Sequence, residues 1–348
     1  MSLKFSYNNI YKNKPYIVAE IGSNHNGDIH LCKKIIDSAK KTGVNCIKLQ
    51  TFTEHSIFSE KNYRDNYFIA DDYRKRKDTN LRQIVKKYSF NKNQIKEVKN
   101  YCNKIKIDFS ATPFSNKEVD FLKKLRVNFI KIASMDLNNY QFIRYIAKKK
   151  LPIVLSVGMG NLSEIDEAIR VIESENNFQI IILYCVSIYP PKNSDFNLKN
   201  IITLKHNYNY PVGFSDHSIG TDLSLAAVAL GACFIEKHFT INKNLEGWDH
   251  KISSDPNELK NIVVGAKNIF EALGGYRIQR VESEERIQAF RRSIVANKKI
   301  KKGTILKKNM LNFKRPGNGL SPTNIDRIIG KKIKRNISYD EIIKEEDF

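Results

Sequence analysis

Two lysines stand inside otherwise apolar runs, Lys48 in Ile47-Lys-Leu-Gln50 and Lys131 in Ile130-Lys-Ile-Ala-Ser134. An ammonium in such a run needs a counter-charge or an anionic ligand, because burying it alone is too costly. An edge position or a structural ion pair is the plainer reading of either lysine. Hydroxyls end the neighbouring runs: Thr112 in SATPF, Ser134 in KIAS, Ser156 in SVGM and Ser215 in GFSDH. Two cations among four hydroxyls suit an anion that carries both carboxylate and phosphate groups. His217 and His238 close two further runs, in SDH and EKH. Imidazoles at one level on adjacent strands can share a divalent metal, with carboxylates or water completing the shell; a structural role for each is the alternative. Glu20, after Ile17-Val-Ala19, fits a metal ligand, an acid/base group or a salt-bridge partner for Lys48.

These residues meet only if the fold gathers the ends of the runs. Eight β-branched runs recur: Tyr16–Gly22, Cys46–Phe52, Ile107–Phe114, Phe129–Met135, Pro152–Met159, Ile180–Ser187, Val212–Ser218 and Cys233–Thr240. Between them lie stretches with apolar residues at i, i+3 and i+4, such as Ile29–Lys41, Asn93–Lys104 and Leu162–Glu175. Near-continuous apolar strands alternating with helices mean parallel strands covered by helices. Eight such units predict an α/β fold, a (β/α)8 TIM barrel, with a doubly wound sheet as the alternative. A barrel brings the strand C-termini to one face, where substrates bind. The connection Thr53–Lys92 is too long for a plain linker and reads as a partial lid on that face.

Leu273-Gly-Gly-Tyr276 stops the last helix. The barrel is therefore expected over residues 1–275, a charged linker over 276–290, and a small β-rich domain over 291–348. That last part holds 16 Lys or Arg against six Asp or Glu. The 348-residue chain has 59 Lys or Arg and 37 Asp or Glu, a net charge of +22. The excess admits a nucleic-acid partner, an anionic small substrate or a compositional habit. No nucleic-acid-binding motif accompanies it, so no such partner is expected. No apolar run reaches the ~20 residues of a membrane span and the N-terminus lacks an apolar signal core, which predicts a cytoplasmic protein with no membrane partner. The five cysteines are scattered and free of CxxC pairs, as reduced core thiols are.

The motifs AEIGSNHNG (Ala19–Gly27), IKLQTF, SATPF, KIAS, SVGM, GFSDH and IEKHFT follow one another in order. Together they strongly resemble the sialic acid synthase family, which makes nonulosonic acids from phosphoenolpyruvate. The tail, with KKIKKGTIL and KRPGNG, resembles that family's SAF (antifreeze-like, β-clip) domain. The resemblance spans about residues 14 to 345. It implies a transferase that condenses phosphoenolpyruvate and water with an N-acylated mannosamine-type sugar, releasing phosphate. It implies that Lys48, Thr112, Lys131, Ser134, Ser156 and Ser215 hold phosphoenolpyruvate, with Glu20, Lys48 and Lys131 catalytic. It implies that His217 and His238 hold a divalent metal, Mn2+ first and Mg2+ or Co2+ as substitutes. Gln50, Tyr189 and Asp249 would face the sugar, and Arg315 would reach into a partner's site in a homodimer with swapped C-terminal domains.

The chain departs from the pattern of enzymes acting on N-acetylmannosamine. It reads Ala133-Ser-Met-Asp136 where they read GSGE, Val186-Ser187 where they read Thr-Asn, and Gly247-Trp-Asp-His250 with its only tryptophan. Met135 and Trp248 would suit the less polar 2,4-diacetamido-2,4,6-trideoxy sugars of legionaminate and pseudaminate synthases. A further alternative is a metal-dependent aldolase or a synthase of phosphorylated sugars, with an anion pocket from Arg64, Arg74 and Arg76.

Overall fold

The computed structural model describes residues 4–10, 14–69 and 71–348. Eight strands, β1 (Tyr16–Gly22), β2 (Cys46–Gln50), β3 (Asp108–Thr112), β4 (Ile130–Ile132), β5 (Ile153–Ser156), β6 (Ile180–Cys185), β7 (Val212–Asp216) and β8 (Phe234–His238), close into a parallel barrel. Each pairs with its neighbours in sequence, and β8 closes on β1 with Glu20 opposite His238. A closed ring in chain order excludes the doubly wound sheet. The strands are buried on both faces, which is why they read as unbroken apolar runs.

The covering helices are α1 (Ile29–Thr42), α4 (Lys92–Lys104), α5 (Asn116–Lys124), α6 (Tyr140–Ala147), α7 (Leu162–Ser174), α8 (Asn200–Asn207), α9 (Asp222–Ala229) and α10 (Pro256–Leu273). Asn91 and Asn161 start α4 and α7 with reciprocal capping boxes to Gln94 and Glu164, so the chain turns sharply from loop into helix.

The barrel interior is layered. Its lower layer is apolar, built by Val18, Cys46, Phe129, Val154, Ile181, Leu183 and Phe234. Gly213 makes room there: a methyl on it would lie 2.6 Å from Leu183 and 2.4 Å from the Phe234 carbonyl. Two residues further along β1, β2, β4, β5 and β8 the inward positions turn polar, as Glu20, Lys48, Lys131, Ser156 and Glu236, whereas on β6 Leu183 follows Ile181 and extends the apolar layer. Period-two alternation carries the same face from floor to site.

The long connection after β2 is folded. It contains α2 (Glu60–Asp65), a two-stranded ribbon pairing Tyr67–Phe68 with Asp71–Asp72, and α3 (Leu81–Tyr88). Phe52, Tyr63, Tyr73, Leu81, Ile84, Val85 and Tyr88 give it an apolar cluster of its own, with Phe58, Phe68, Phe114 and Trp248 packed against it.

The chain divides into two compact units, Met1–Gly274 and Gly275–Phe348. Gly274, with φ of 51°, follows the end of α10. The stretch expected as linker contains a helix, α11 (Glu284–Phe290). In the second unit β9 (Ser293–Ala296) runs antiparallel to β10 (Leu311–Lys314). Isolated bridges join Val295 to Ile342, Ile300 to Ile337 and Ile305 to Lys332 around an isoleucine-rich core. Among the described residues no helix is long and apolar enough to cross a membrane, and all five cysteines are buried free thiols.

Candidate active site

A cavity of about 330 Å3 opens at the C-terminal ends of the strands. Glu20, Lys48, Gln50, Thr112, Lys131, Ser134, Ser156, Tyr189, Ser215, His217 and His238 all line it. Eleven of the thirteen residues singled out from sequence thus meet in one place. The twelfth, Asp249, sits at its edge, with Oδ2 3.7 Å from His238 Nδ1. The thirteenth, Arg315, lies in the second unit, its guanidinium 5.0 Å from the centre of the Phe290 ring.

The deep end is ionic. Lys48 Nζ lies 2.5 Å from Glu20 Oε2 and 3.7 Å from Glu236 Oε1, and donates to Thr112 Oγ1 at 2.9 Å. Lys131 Nζ donates to Ser156 Oγ at 2.6 Å and lies 3.9 Å from Glu236 Oε1. Ser215 Oγ donates to the same Glu236 oxygen at 3.3 Å, and Ser134 Oγ accepts from the Gly158 amide at 3.1 Å. The lysines are therefore the ion pairs of the plainer reading and also cavity walls. Two lysines against two carboxylates leave room for a ligand anion once either carboxylate carries a proton.

Glu20 is the carboxyl suited to that. Burial, only partly offset by Lys48, lifts its pKa to about 7. Glu236 goes the other way: burial opposes its charge, but Lys131, Lys48 and His217 hold it below its ordinary range. Burial likewise opposes the charge of Lys48, yet Glu20 and Glu236 raise its pKa, whereas burial lowers that of Lys131.

The upper end holds the imidazoles, with ring centres 5.5 Å apart. His217 Nδ1 bonds the Val186 carbonyl at 2.8 Å, which fixes the ring and leaves Nε2 as its free nitrogen. His238 Nδ1 is buried without a hydrogen-bond partner. This donor set fits a divalent ion held by two protein nitrogens, with substrate or water supplying the rest. Among the described residues no three His, Cys, Asp or Glu side chains form a ready cage.

Gly22 lets the upper carboxylate approach the lower one. A methyl on its Cα would lie 3.0 Å from Glu20 Oε1, 3.3 Å from Gln50 Nε2 and 3.4 Å from Asp249 Oδ2. Its φ of +55° further disfavours any side chain there.

Two expectations need correction. Trp248 is not part of the cavity lining; its indole packs against Phe52, Phe68 and Tyr88 in the cluster of the long connection. Nor do Arg64, Arg74 and Arg76 line it, and two of them are already engaged: Arg74 is paired with Asp72, and Arg76 with Asp78 and Glu246. Asp216 and Lys237, which also end their strands, face outward. They pair at 2.9 Å beneath α9, where Ser224 Oγ donates to Asp216 Oδ2.

Glu236, Cys185 and Ser187 line the cavity without having been assigned a part. Alternation had the signal for the first: if His238 faces in, so does residue 236. Met135 and Met159 add an apolar wall beside Ile57 and Phe114.

The NeuB family model matches residues 35–277, and the SAF domain model matches residues 291–348. The chain is 38% identical to the N,N'-diacetyllegionaminic acid synthase of Campylobacter jejuni over 95% of its own length and 99% of that protein. It is 36% identical to the pseudaminic acid synthase of the same species, covering 96% and 97%. The crystal structure of N-acetylneuraminic acid synthetase from Leptospira borgpetersenii, solved with citrate, superposes with a TM-score of 0.71. It is 35% identical, over 79% of this chain and 90% of that one.

Proposed function

We propose, from the premise that this chain belongs to the NeuB family and ends in a SAF domain, that it is a nonulosonic acid synthase. It condenses phosphoenolpyruvate and water with an acylated amino sugar to give a nine-carbon 2-keto acid and phosphate. The observation that carries the reading is the buried array of Lys48 and Lys131 between Glu20 and Glu236, ringed by hydroxyls. Phosphoenolpyruvate is a carboxylate and a phosphate on one three-carbon frame, and two fixed ammonium groups suit it.

In this mechanism C3 of phosphoenolpyruvate bonds to the aldehyde carbon of the open-chain sugar, and C2 acquires oxocarbenium character. Water adds to C2, and the C2–O bond to phosphate breaks. Lys48 and Lys131 offset the ligand's charges and hold C3 in line for attack, with Thr112, Ser134, Ser156 and Ser215 orienting the anionic groups. Glu20, with a pKa near neutrality, exchanges the proton of the attacking water at its carboxyl oxygens. Gln50, Tyr189 and Asp249 contact the sugar. His217 and His238 would hold a divalent metal, Mn2+ in the first instance, whose chemistry is Lewis-acid polarisation of the aldehyde. Arg315 completes the site of a partner copy in a homodimer.

A 2,4-diacetamido-2,4,6-trideoxy sugar is the favoured partner substrate. The apolar wall of Met135, Met159, Ile57 and Phe114 suits a deoxygenated, doubly acylated sugar better than a polyhydroxylated one, and the named relatives above include synthases of both such products. The engaged arginines of the long connection argue against a phosphorylated sugar. Phosphate release with phosphoenolpyruvate and a panel of N-acetylmannosamine, its 6-phosphate and the diacetamido sugars tests the choice. In the same assay Glu20→Gln abolishes turnover while calorimetry still detects phosphoenolpyruvate binding; wild-type rates in that variant would sink the assignment of Glu20.

A further inference from the structure

Asp249 is carried by a loop with little regular structure, yet two separate parts of the barrel unit grip that loop. From the β1 side, Asn26 Nδ2 donates to the Glu246 carbonyl at 2.7 Å. Asn24 Nδ2 donates at 2.9 Å to Ser253 Oγ, which in turn donates to the Asp249 carbonyl at 2.7 Å. From the long connection, Tyr73 OH accepts a hydrogen bond from Trp248 Nε1 at 2.9 Å. The indole stands edge-on to Tyr88 and Phe68, with ring centres 5.1 and 5.9 Å away, and 6.0 Å from Phe52. Tyr73 is itself fixed: its amide donates to the Asn66 carbonyl, its carbonyl accepts from Asn66 Nδ2, and Asn66 Oδ1 accepts from the Leu81 amide that begins α3.

We propose that Trp248 and Tyr73 are positioning residues for Asp249. On this view the connection over residues 53–88 is a fixed buttress that sets the carboxylate on the sugar side of the cavity, and it is not a lid that opens. Trp248 adjoins Asp249, so anchoring its indole restrains the backbone that carries the carboxylate, and a carboxylate that must meet a sugar hydroxyl tolerates little displacement. Phosphoenolpyruvate, held deeper by the lysines, is untouched. The proposal rests on the reading of Asp249 as a sugar contact.

Because Trp248 is the chain's only tryptophan, its fluorescence reports this joint alone. The test compares wild type with Tyr73→Phe, which removes one oxygen, and Trp248→Phe, which removes the indole donor. The sugar used is whichever member of the panel the wild type turns over. Each variant is expected to raise the KM for that sugar five- to tenfold and leave the KM for phosphoenolpyruvate within twofold. The double variant should fall short of the two single effects combined, since both remove the Trp248–Tyr73 hydrogen bond. Titrating the sugar into wild-type enzyme should change the tryptophan emission, and Asp249→Asn should remove that change.

Equal rises in both KM values, or none, would overturn the proposal. If the wild type turns over no sugar at all, the synthase reading fails, and hydrogen exchange at the Ser253 amide, which bonds the Asp249 carbonyl, decides the joint separately. Exchange at least tenfold faster in Tyr73→Phe supports it, and unchanged exchange rejects it.

Discussion

A single methyl group at position 22 would separate the groups on which the site depends. Gly22→Ala places carbon 3.0 Å from Glu20 Oε1 and forces a left-handed φ on a residue with a side chain, which costs about 1–2 kcal/mol. The expected result is a urea midpoint lowered accordingly and phosphate release reduced at least tenfold. At this scale much was legible. Lys48, Lys131 and Glu20 stand out because charge in an apolar strand demands a partner, and His217 and His238 because each stands at the end of such a strand. Glu236 was legible only through alternation with His238. Trp248 was misread because loops have no periodicity: nothing in Gly247-Trp-Asp-His250 says that the indole turns to Tyr73 while Asp249 stays at the cavity edge.

The strands illustrate how an element sorts like residues into unlike roles. Along β7 and β8, Ser215, Glu236 and His238 face in, whereas Asp216 and Lys237 face out to α9. Removing one member of a buried pair strands the other charge, at a cost of about 3–5 kcal/mol. Asp216→Asn is therefore expected to lower stability by about that amount in chemical denaturation. Asp216→Leu combined with Lys237→Met should recover most of the loss. All eight strands were readable because both of their faces are buried, and α1, α4 and α7 because each carries one apolar stripe. The long connection was visible as a length anomaly only. Its fold comes from aromatic contacts far apart in sequence, such as Tyr73 with Trp248, which no local window contains.

For the whole molecule, pH acts through buried neutral histidines. His25 stacks on Phe90 with ring centres 3.7 Å apart, and its Nδ1 accepts from the Gly27 amide. Burial holds its pKa down to about 3, against an ordinary 6.5. Between those values the unfolded chain binds a proton that the folded one refuses, so stability is full above pH 6.5 and falls as pH drops toward 3. At pH 5 the loss from His25 is about 2 kcal/mol. His250, lowered by burial to about 4, acts in the same direction. His25→Gln should flatten the slope of stability against pH between 4 and 6.5 in urea titrations. The net charge of +22 has a narrower meaning than it first had. In the barrel unit Lys48 and Lys131, the lysines of the proposed phosphoenolpyruvate site, lie deep in a cavity sized for a small molecule.

The apolar floor beneath that cavity makes the barrel a blind shaft. Among the described residues Val154, Ile181, Leu183 and Phe234 pack apolar side chains beneath the lysines, so ligands are expected to enter and leave by the mouth. On the proposed function, a ligand seated at Lys48 and Lys131 arrives before one seated at Gln50 and His238, and phosphate released there stays until the upper site clears. The geometry thus dictates a queue. Initial-rate kinetics should be sequential and ordered, with the smaller anion first, and inorganic phosphate should inhibit competitively against that anion and not against the sugar.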